Sequence, residues 1–174
     1  PTLETGDMSL NSVKFDNSDD RLVLDNVYVT TDQTFSAFIV FETGQSGTDV
    51  FIGGSAGDQN HIQLAGANGV AIQTRFTGTS GGSANNLVTT KTGDHTFREN
   101  TPEILLMTRD ASEANRFFNF EGTLICTSTS TTNNNSNTNF RVGTIGADGD
   151  GGGAHQGTIG EIGVYNKVLS ADEI

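Results

Sequence analysis

Hydrophobic and polar residues alternate in short runs along this chain. That period of two turns one face of a strand towards a core and the other away from it. Met8 to Phe15 reads as a first strand, with Val13 and Phe15 on one face, and Asp16 to Asp20 as a polar turn. Leu22 and Leu24 begin a second strand, which Val27 and Val29 continue beyond Asp25-Asn26. Phe35 to Phe41, FSAFIVF, is apolar without a break but for one serine, the pattern of a central strand buried on both faces. A short strand at Val50 to Ile52 closes on Gly53-Gly54, and another follows at His61 to Ala65 with Ile62 and Leu64 alternating. Asn68-Gly69 is a strong hairpin signal, because both residues accept the positive φ of a tight turn. It leads to a strand with Val70, Ile72, Thr74 and Phe76 on one face and Ala71, Gln73 and Arg75 on the other. Gly78 to Asn86 reads as a loop, and Leu87 to Phe97 as an irregular or edge segment. Glu103 to Arg109 is a buried strand, and Asp110 to Asn115 a turn. Phe117 to Phe120 and Thr123 to Cys126 form a hairpin about Glu121-Gly122. A low-complexity Ser/Thr/Asn loop spans Ser128 to Asn139, Phe140 and Val142 begin a further strand, and a Gly-rich loop runs from Gly146 to Gly157.

The closing stretch, GTIGEIGVYNKVLSADEI from Gly157 to Ile174, is the most strongly patterned. Ile162 and Val164 point one way, and Glu161, Gly163 and Tyr165 the other. Ile159 breaks that parity, which predicts a bulge near Gly160. After Tyr165 the period changes. Ser170 fits a helix N-cap, Glu173 closes a capping box, and Leu169 with Ile174 fits a hydrophobic staple. A helix seldom stops one turn after its cap, since nucleation costs more than one turn returns, so the chain is expected to be part of a longer one.

The pattern of Gly157, Ile159, Glu161, Ile162, Val164, Tyr165, Asn166, Leu169, Ser170, Glu173 and Ile174 resembles the closing signature of LamG-like, concanavalin A-like jelly-roll domains. The opening SVKFDNSDDRLVL (Ser12 to Leu24) and the FFNFEGTLI hairpin (Phe117 to Ile125) resemble two further segments of that family. The resemblance implies one domain over residues 1–174, all-β, a two-sheet antiparallel β-sandwich of the concanavalin A-like jelly-roll type. A Trp is common in the family's central strand, and this chain has none. The fold hosts lectins, glycanases, adhesion modules and inert structural domains alike.

Composition narrows the function classes. The chain has 174 residues, enough for a substantial core, with 22 Gly, 11 Phe, 2 Tyr and no Trp. Nine basic residues against 21 acidic leave a net charge of −12, which repels nucleic-acid phosphates and attracts cations such as Ca²⁺. The single Cys126 excludes an internal disulfide and reads as a buried structural thiol. No apolar run is long enough for a membrane span. Asn134-Asn135-Ser136 is one formal glycosylation sequon.

Two constellations are candidates for chemistry, and two familiar patterns are missing. Glycanases of the resembling fold carry an E-x-D-x-E or E-x-D-x-x-E run that sets carboxylates on one strand face, and no such run exists here. His61, His95 and His155 lack zinc-ligand spacing. Asp148-Gly149-Asp150 followed by three glycines can wrap a hard cation, so Asp148 and Asp150 are the candidate Ca²⁺ ligands, with Asp58 or Asn60 as a third. Such a loop is also an ordinary solvated acidic turn. Asp58, Asn60 and His61 form a polar tip of the kind jelly-roll lectins use on sugars, and an ordinary turn looks the same. With no Trp, only Tyr28, Tyr165 or an exposed Phe could stack on a sugar ring.

The sequence therefore favours a non-catalytic LamG-like module of a larger extracellular, cell-surface or virion protein. Its partner would be a glycan, a cell-surface partner or other subunits of a homo- or hetero-oligomeric assembly, and neither nucleic acid nor a membrane interior. A structural building block of a capsid decoration, tail fibre or surface appendage is the second reading. A glycoside hydrolase is the third.

Overall fold

In a computed structural model of the protein, residues 2–5, 11–16, 18–29, 34–44, 49–54, 61–65, 71–76, 85–90, 97–110, 114–119, 121–129, 141–147 and 153–174 are described. Thirteen strands carry the alternating segments: β1 (Thr2–Thr5), β2 (Asn11–Asp16), β3 (Leu22–Val29), β4 (Phe35–Thr43), β5 (Asp49–Gly53), β6 (His61–Ala65), β7 (Ala71–Phe76), β8 (Asn85–Thr90), β9 (Glu103–Arg109), β10 (Ala114–Phe118), β11 (Leu124–Thr129), β12 (Arg141–Ile145) and β13 (Gln156–Tyr165). They form two sheets. Sheet A has the order β1-β2-β13-β4-β9-β10-β11, and sheet B the order β3-β12-β5-β6-β7-β8. Neighbouring strands in both sheets run antiparallel. This is the two-sheet jelly roll that the sequence resembles.

The core lies between the inward faces. Phe15, Phe35, Ile39, Phe41, Leu105, Met107 and Phe117 of sheet A meet Phe51, Ile52, Ile62, Leu64 and Ile72 of sheet B, all buried. Phe41 and Phe51 bridge the sheets with ring centroids 4.4 Å apart, and Phe97 closes on Phe41 at 5.5 Å. Full burial of each such side chain stabilises by about 1.5–3 kcal/mol. The core thus depends on the alternation having the right phase on every strand.

The long strand β13 shows how that phase is kept. Its register against β4 shifts between Ile159 and Glu161, the bulge expected near Gly160. The extra residue lets Ile159 before the bulge and Ile162 and Val164 after it all face the core. At the start of β13, Gly157 has φ +141, and a Cβ there would lie 1.9 Å from the carbonyl oxygen of Glu42. Only glycine fits this close approach of β13 to the end of β4.

Three expectations need correction. Leu24, expected in the core, is 37% exposed. Tyr28 pairs with Val142 and Val23 with Thr144, so Leu24 to Val27 have no ladder partners on β12, and Leu24 lines an open cleft between the sheets at the edge strand β3. The FSAFIVF run is fully buried on its inward face only, since Phe38 and Val40 on the outer face are half-buried. The helix start after Leu169 is a single turn, and no helix occurs among the described residues. Within that turn, Ser170 N–H donates to Glu173 Oε2 at 3.0 Å, as a capping box requires. The Ser170 hydroxyl also donates to that carboxylate, 3.0 Å away, and does not accept a backbone N–H. The strand β1 was not anticipated, and the Leu87–Phe97 segment includes the end of the edge strand β8. The hairpin predicted at Asn68-Gly69 joins β6 to β7 with Ala65 opposite Ala71, although the turn itself, and the side chain of Cys126, lie outside the described residues.

Candidate functional site

Of the candidate cation ligands and polar-tip residues, His61 alone is described. Asp58, Asn60, Asp148 and Asp150 lie outside the described residues, as does His95. His61 opens β6. Ile62 and Leu64 of that strand belong to the core, so His61 and Gln63 lie on the opposite, outer face of sheet B. Across the ladder His61 faces Gly53 and Arg75, and Gln63 faces Val50 and Gln73. Arg75 in turn faces Asn86. Outward polar residues of a sandwich are normally solvated, yet His61 and Gln63 are only 5% and 8% exposed. The outer face of sheet B is thus covered at β6, where an imidazole and an amide are buried.

A second polar group holds the base of the Gly-rich loop that precedes β13. Asp49, first residue of β5, is buried with His155 beside it, and His155 Nδ1 lies 3.0 Å from Asp49 Oδ1. The same oxygen accepts the N–H of Gln156 at 3.0 Å, and the Thr43 hydroxyl donates to Asp49 Oδ2. The imidazole sits between Phe15 and Phe51, with centroids at 5.8 and 5.3 Å, and its Nε2 has no hydrogen-bond partner. Burial by itself pushes the Asp49 carboxyl up. The His155 hydrogen bond and charge, then Thr43 and the Gln156 N–H, outweigh burial and hold it below the ordinary aspartate value. Backbone bonds complete the knot: Gly44 N–H to Gln156 O at 2.6 Å, His155 N–H to Gly146 O at 2.7 Å and Val50 N–H to Gly153 O at 3.0 Å. The two ends of the 146–157 loop, where the candidate cation ligands stand, are therefore clamped to β4 and β5. The sequence offered no local sign of this pair, because Asp49 and His155 meet only through the packing of the two sheets.

The turn between β2 and β3, where the chain passes from sheet A to sheet B, brings carboxylate oxygens of Asp16, Asp19 and Asp20 within 4.8 Å of one another. Asp16 Oδ1 already accepts the Ser18 N–H at 2.9 Å, and Asp20 Oδ2 the Asp16 N–H at 3.2 Å. These acids close the turn's own backbone groups. The other buried carboxylate among the described residues, Glu103, accepts Arg98 Nε at 3.0 Å. Two clefts open elsewhere. One, of about 370 Å³, lies between the sheets and is lined by Leu24, Tyr28, Val142, Ile145, Ile162 and Val164. The other, of about 270 Å³, lies under the C-terminal turn against Thr108, Arg116 and Phe118.

Fold and residue pattern agree with what comparison finds. The chain belongs to the concanavalin A-like lectin/glucanases superfamily, whose laminin G-type family model matches residues 16–174. Among solved structures it is similar to a native heptameric SAP-like pentraxin from Limulus polyphemus, at TM-score 0.67 and 10% identity, covering 96% of this chain and 81% of that one. It is similar to the CBM40 of the Ruminococcus gnavus IT-sialidase bound to α2,6-sialyllactose, at TM-score 0.59 and 15% identity, covering 93% and 95%. It also resembles part of tailspike protein 2 from the Escherichia coli O157:H7 bacteriophage CAB120, at TM-score 0.61 and 19% identity, covering 94% of this chain and 24% of that one. No curated protein sequence matches it.

Proposed function

We propose that this chain is a non-catalytic glycan-binding module of a larger extracellular, cell-surface or virion protein, with its contact surface on the outer face of sheet B. The observation that carries the reading is the buried polar pair at β6. His61 and Gln63 face away from the core and are nevertheless withdrawn from solvent, with Arg75 and Gln73 opposite them in the register. A few fixed polar groups on a sheet face suit a hydroxyl-rich ligand. Asp58 and Asn60, which immediately precede β6 in the chain, are the further candidate ligand contacts. A CBM40 bound to sialyllactose and a tailspike, both of this fold, are consistent with it. Asp148 and Asp150 are the proposed ligands of a weak Ca²⁺ site, affinity about 10⁻⁴–10⁻³ M, with Asp58 or Asn60 completing it. Millimolar Ca²⁺ then raises the melting temperature by linkage, and Asp148→Asn with Asp150→Asn removes the rise.

A glycan array probed with and without Ca²⁺ tests the function. Retention of a glycan by the wild type and its loss in Gln63→Ala/Arg75→Ala, with an unchanged melting temperature, is the expected result. A folded wild type that retains no glycan under either condition refutes the reading. One observation favours assembly instead: the edge strand β3 exposes Leu22, Val23, Leu24 and Tyr28 beside the apolar cleft between the sheets. Under that second reading, sedimentation shows self-association that Val23→Lys abolishes.

A further inference from the structure

We propose that the outer face of sheet A carries a separate carbohydrate-contact surface, an aromatic platform of Phe38 and Tyr165 that stacks on the apolar face of a neutral pyranose. The inference rests on the glycan-binding reading and adds a second place for the ligand, on the sheet opposite the polar pair.

The bulge in β13 creates it. Beyond the bulge, Ile162 and Val164 face the core, so Glu161, Gly163 and Tyr165 face outwards. Gly163 stands opposite Phe38 in the register, and Tyr165 opposite Ser36. A Cβ at position 163 would lie 2.2 Å from Phe38 Cε1 and 2.8 Å from Cδ1. The Phe38 ring therefore occupies the space a side chain on β13 would fill, and leans across onto that strand's backbone. The Tyr165 ring follows at a centroid distance of 6.2 Å with the planes only 29° apart. Half-buried Phe38 and 41% exposed Tyr165 thus place a small aromatic patch on this sheet face. Such a patch matches the C–H face of a sugar ring.

The chain after Tyr165 bounds the platform. The Ser36 hydroxyl donates to Lys167 O at 2.9 Å and accepts the Leu169 N–H at 3.0 Å. Val168, Leu169 and Ile174 then line the cleft over Thr108 and Phe118, beside the rings. Charge selects the ligand. Glu161 is exposed on the same face of β13, with Lys14 on β2 beside that strand, while Lys167 and the Arg116 of the bounding cleft are paired with Glu173 and Asp110. The rim is thus negative, offers acceptors to sugar hydroxyls and repels sialylated or sulfated glycans. A protein partner fits less well. Two partly buried aromatic side chains offer less than the about 150–250 Å² each buries in full, well short of the roughly 800 Å² per partner of a standard interface.

The test joins binding to a spectroscopic readout. The chain has no Trp and only 2 Tyr, so Tyr28→Phe leaves Tyr165 as the sole emitter. An array carrying neutral gluco-, galacto- and manno-oligosaccharides beside 3′-sialyllactose is probed first, and the best neutral binder is then titrated by calorimetry and tyrosine emission. Expected are a change in Tyr165 emission on binding, affinity within about twofold of wild type for Tyr165→Phe, and a loss of about tenfold for Tyr165→Ala. Tyr165→Leu replaces Tyr165→Ala if the alanine variant fails to fold. Unchanged affinity in the alanine or leucine variant overturns the platform while the glycan-binding reading stands, and so does binding of sialylated glycans alone. A change of oligomeric state in Tyr165→Ala with sugar affinity intact likewise overturns it, in favour of a protein contact. A folded wild type that binds nothing on the array removes the glycan-binding reading, and the platform with it.

Discussion

Asp49→Ala is the most informative single perturbation of this fold. The carboxylate takes His155 Nδ1 and the Gln156 N–H on one oxygen and the Thr43 hydroxyl on the other. Alanine leaves these donors without their acceptor at a place where His155 has no access to solvent. Removing one partner of a buried, hydrogen-bonded pair destabilises by about 3–5 kcal/mol. Against a total of roughly 5–15 kcal/mol for a domain, that is a large fraction of its stability. Asp49→Asn keeps the shape and an acceptor oxygen, and should lose less. Urea unfolding followed by far-UV circular dichroism measures both, since the protein has no Trp to report on the core. A double-mutant cycle with His155→Leu isolates the pair, with an expected coupling of about 1–3 kcal/mol. The pH dependence has a definite sign. The folded carboxyl lies below its ordinary value of 3.8, so its contribution is complete above that value and lost as pH falls through the folded pKa. Asp49→Ala should therefore flatten the acid limb of the stability curve. An alanine variant within about 0.5 kcal/mol of wild type, or a cycle with no coupling, refutes the claim that this pair clamps the loop.

Three further outcomes follow from the same geometry. Ser36→Ala removes the hydroxyl that holds Lys167 O and Leu169 N–H, and should destabilise by about 1–3 kcal/mol while increasing hydrogen exchange after Tyr165. Gly157→Ala combines a rarely populated φ with a Cβ 1.9 Å from Glu42 O, and should destabilise by about 3 kcal/mol or more; a variant as stable as wild type would mean that β13 can leave β4 at that end. The Glu173 carboxyl is drawn down to about 2, first by Lys167 and then by the Ser170 N–H and hydroxyl, so NMR should report the turn intact above about 4.5 and lost as pH falls towards 2.

Strand positions were legible in the sequence because alternation is a local property: β3, β6 and β9 fall where the pattern placed them. The bulge at Gly160 was legible for the same reason, as a break of parity between Ile159 and Ile162 within one strand. A capping pattern was legible at Ser170 and Glu173, but one turn of chain packed on a sheet forms a turn and not a helix. What required the tertiary structure was everything set between strands. Leu24 obeys the alternation and is still 37% exposed, because β3 is an edge strand whose register against β12 shifts there and leaves Leu24 beside an open cleft. The tip at Asp58, Asn60 and His61 gave one residue of a possible site, while Gln63 and its cross-strand partners were hidden inside ordinary strand pattern. Asp49 and His155 are 106 residues apart, and Phe38 meets Gly163 and Tyr165 only after β13 has been inserted beside β4. Periodicity constrains which way a residue faces along its own strand. Which side chains it meets is decided by sheet order, register and the bulges that shift them, and these are properties of the packed chain as a whole.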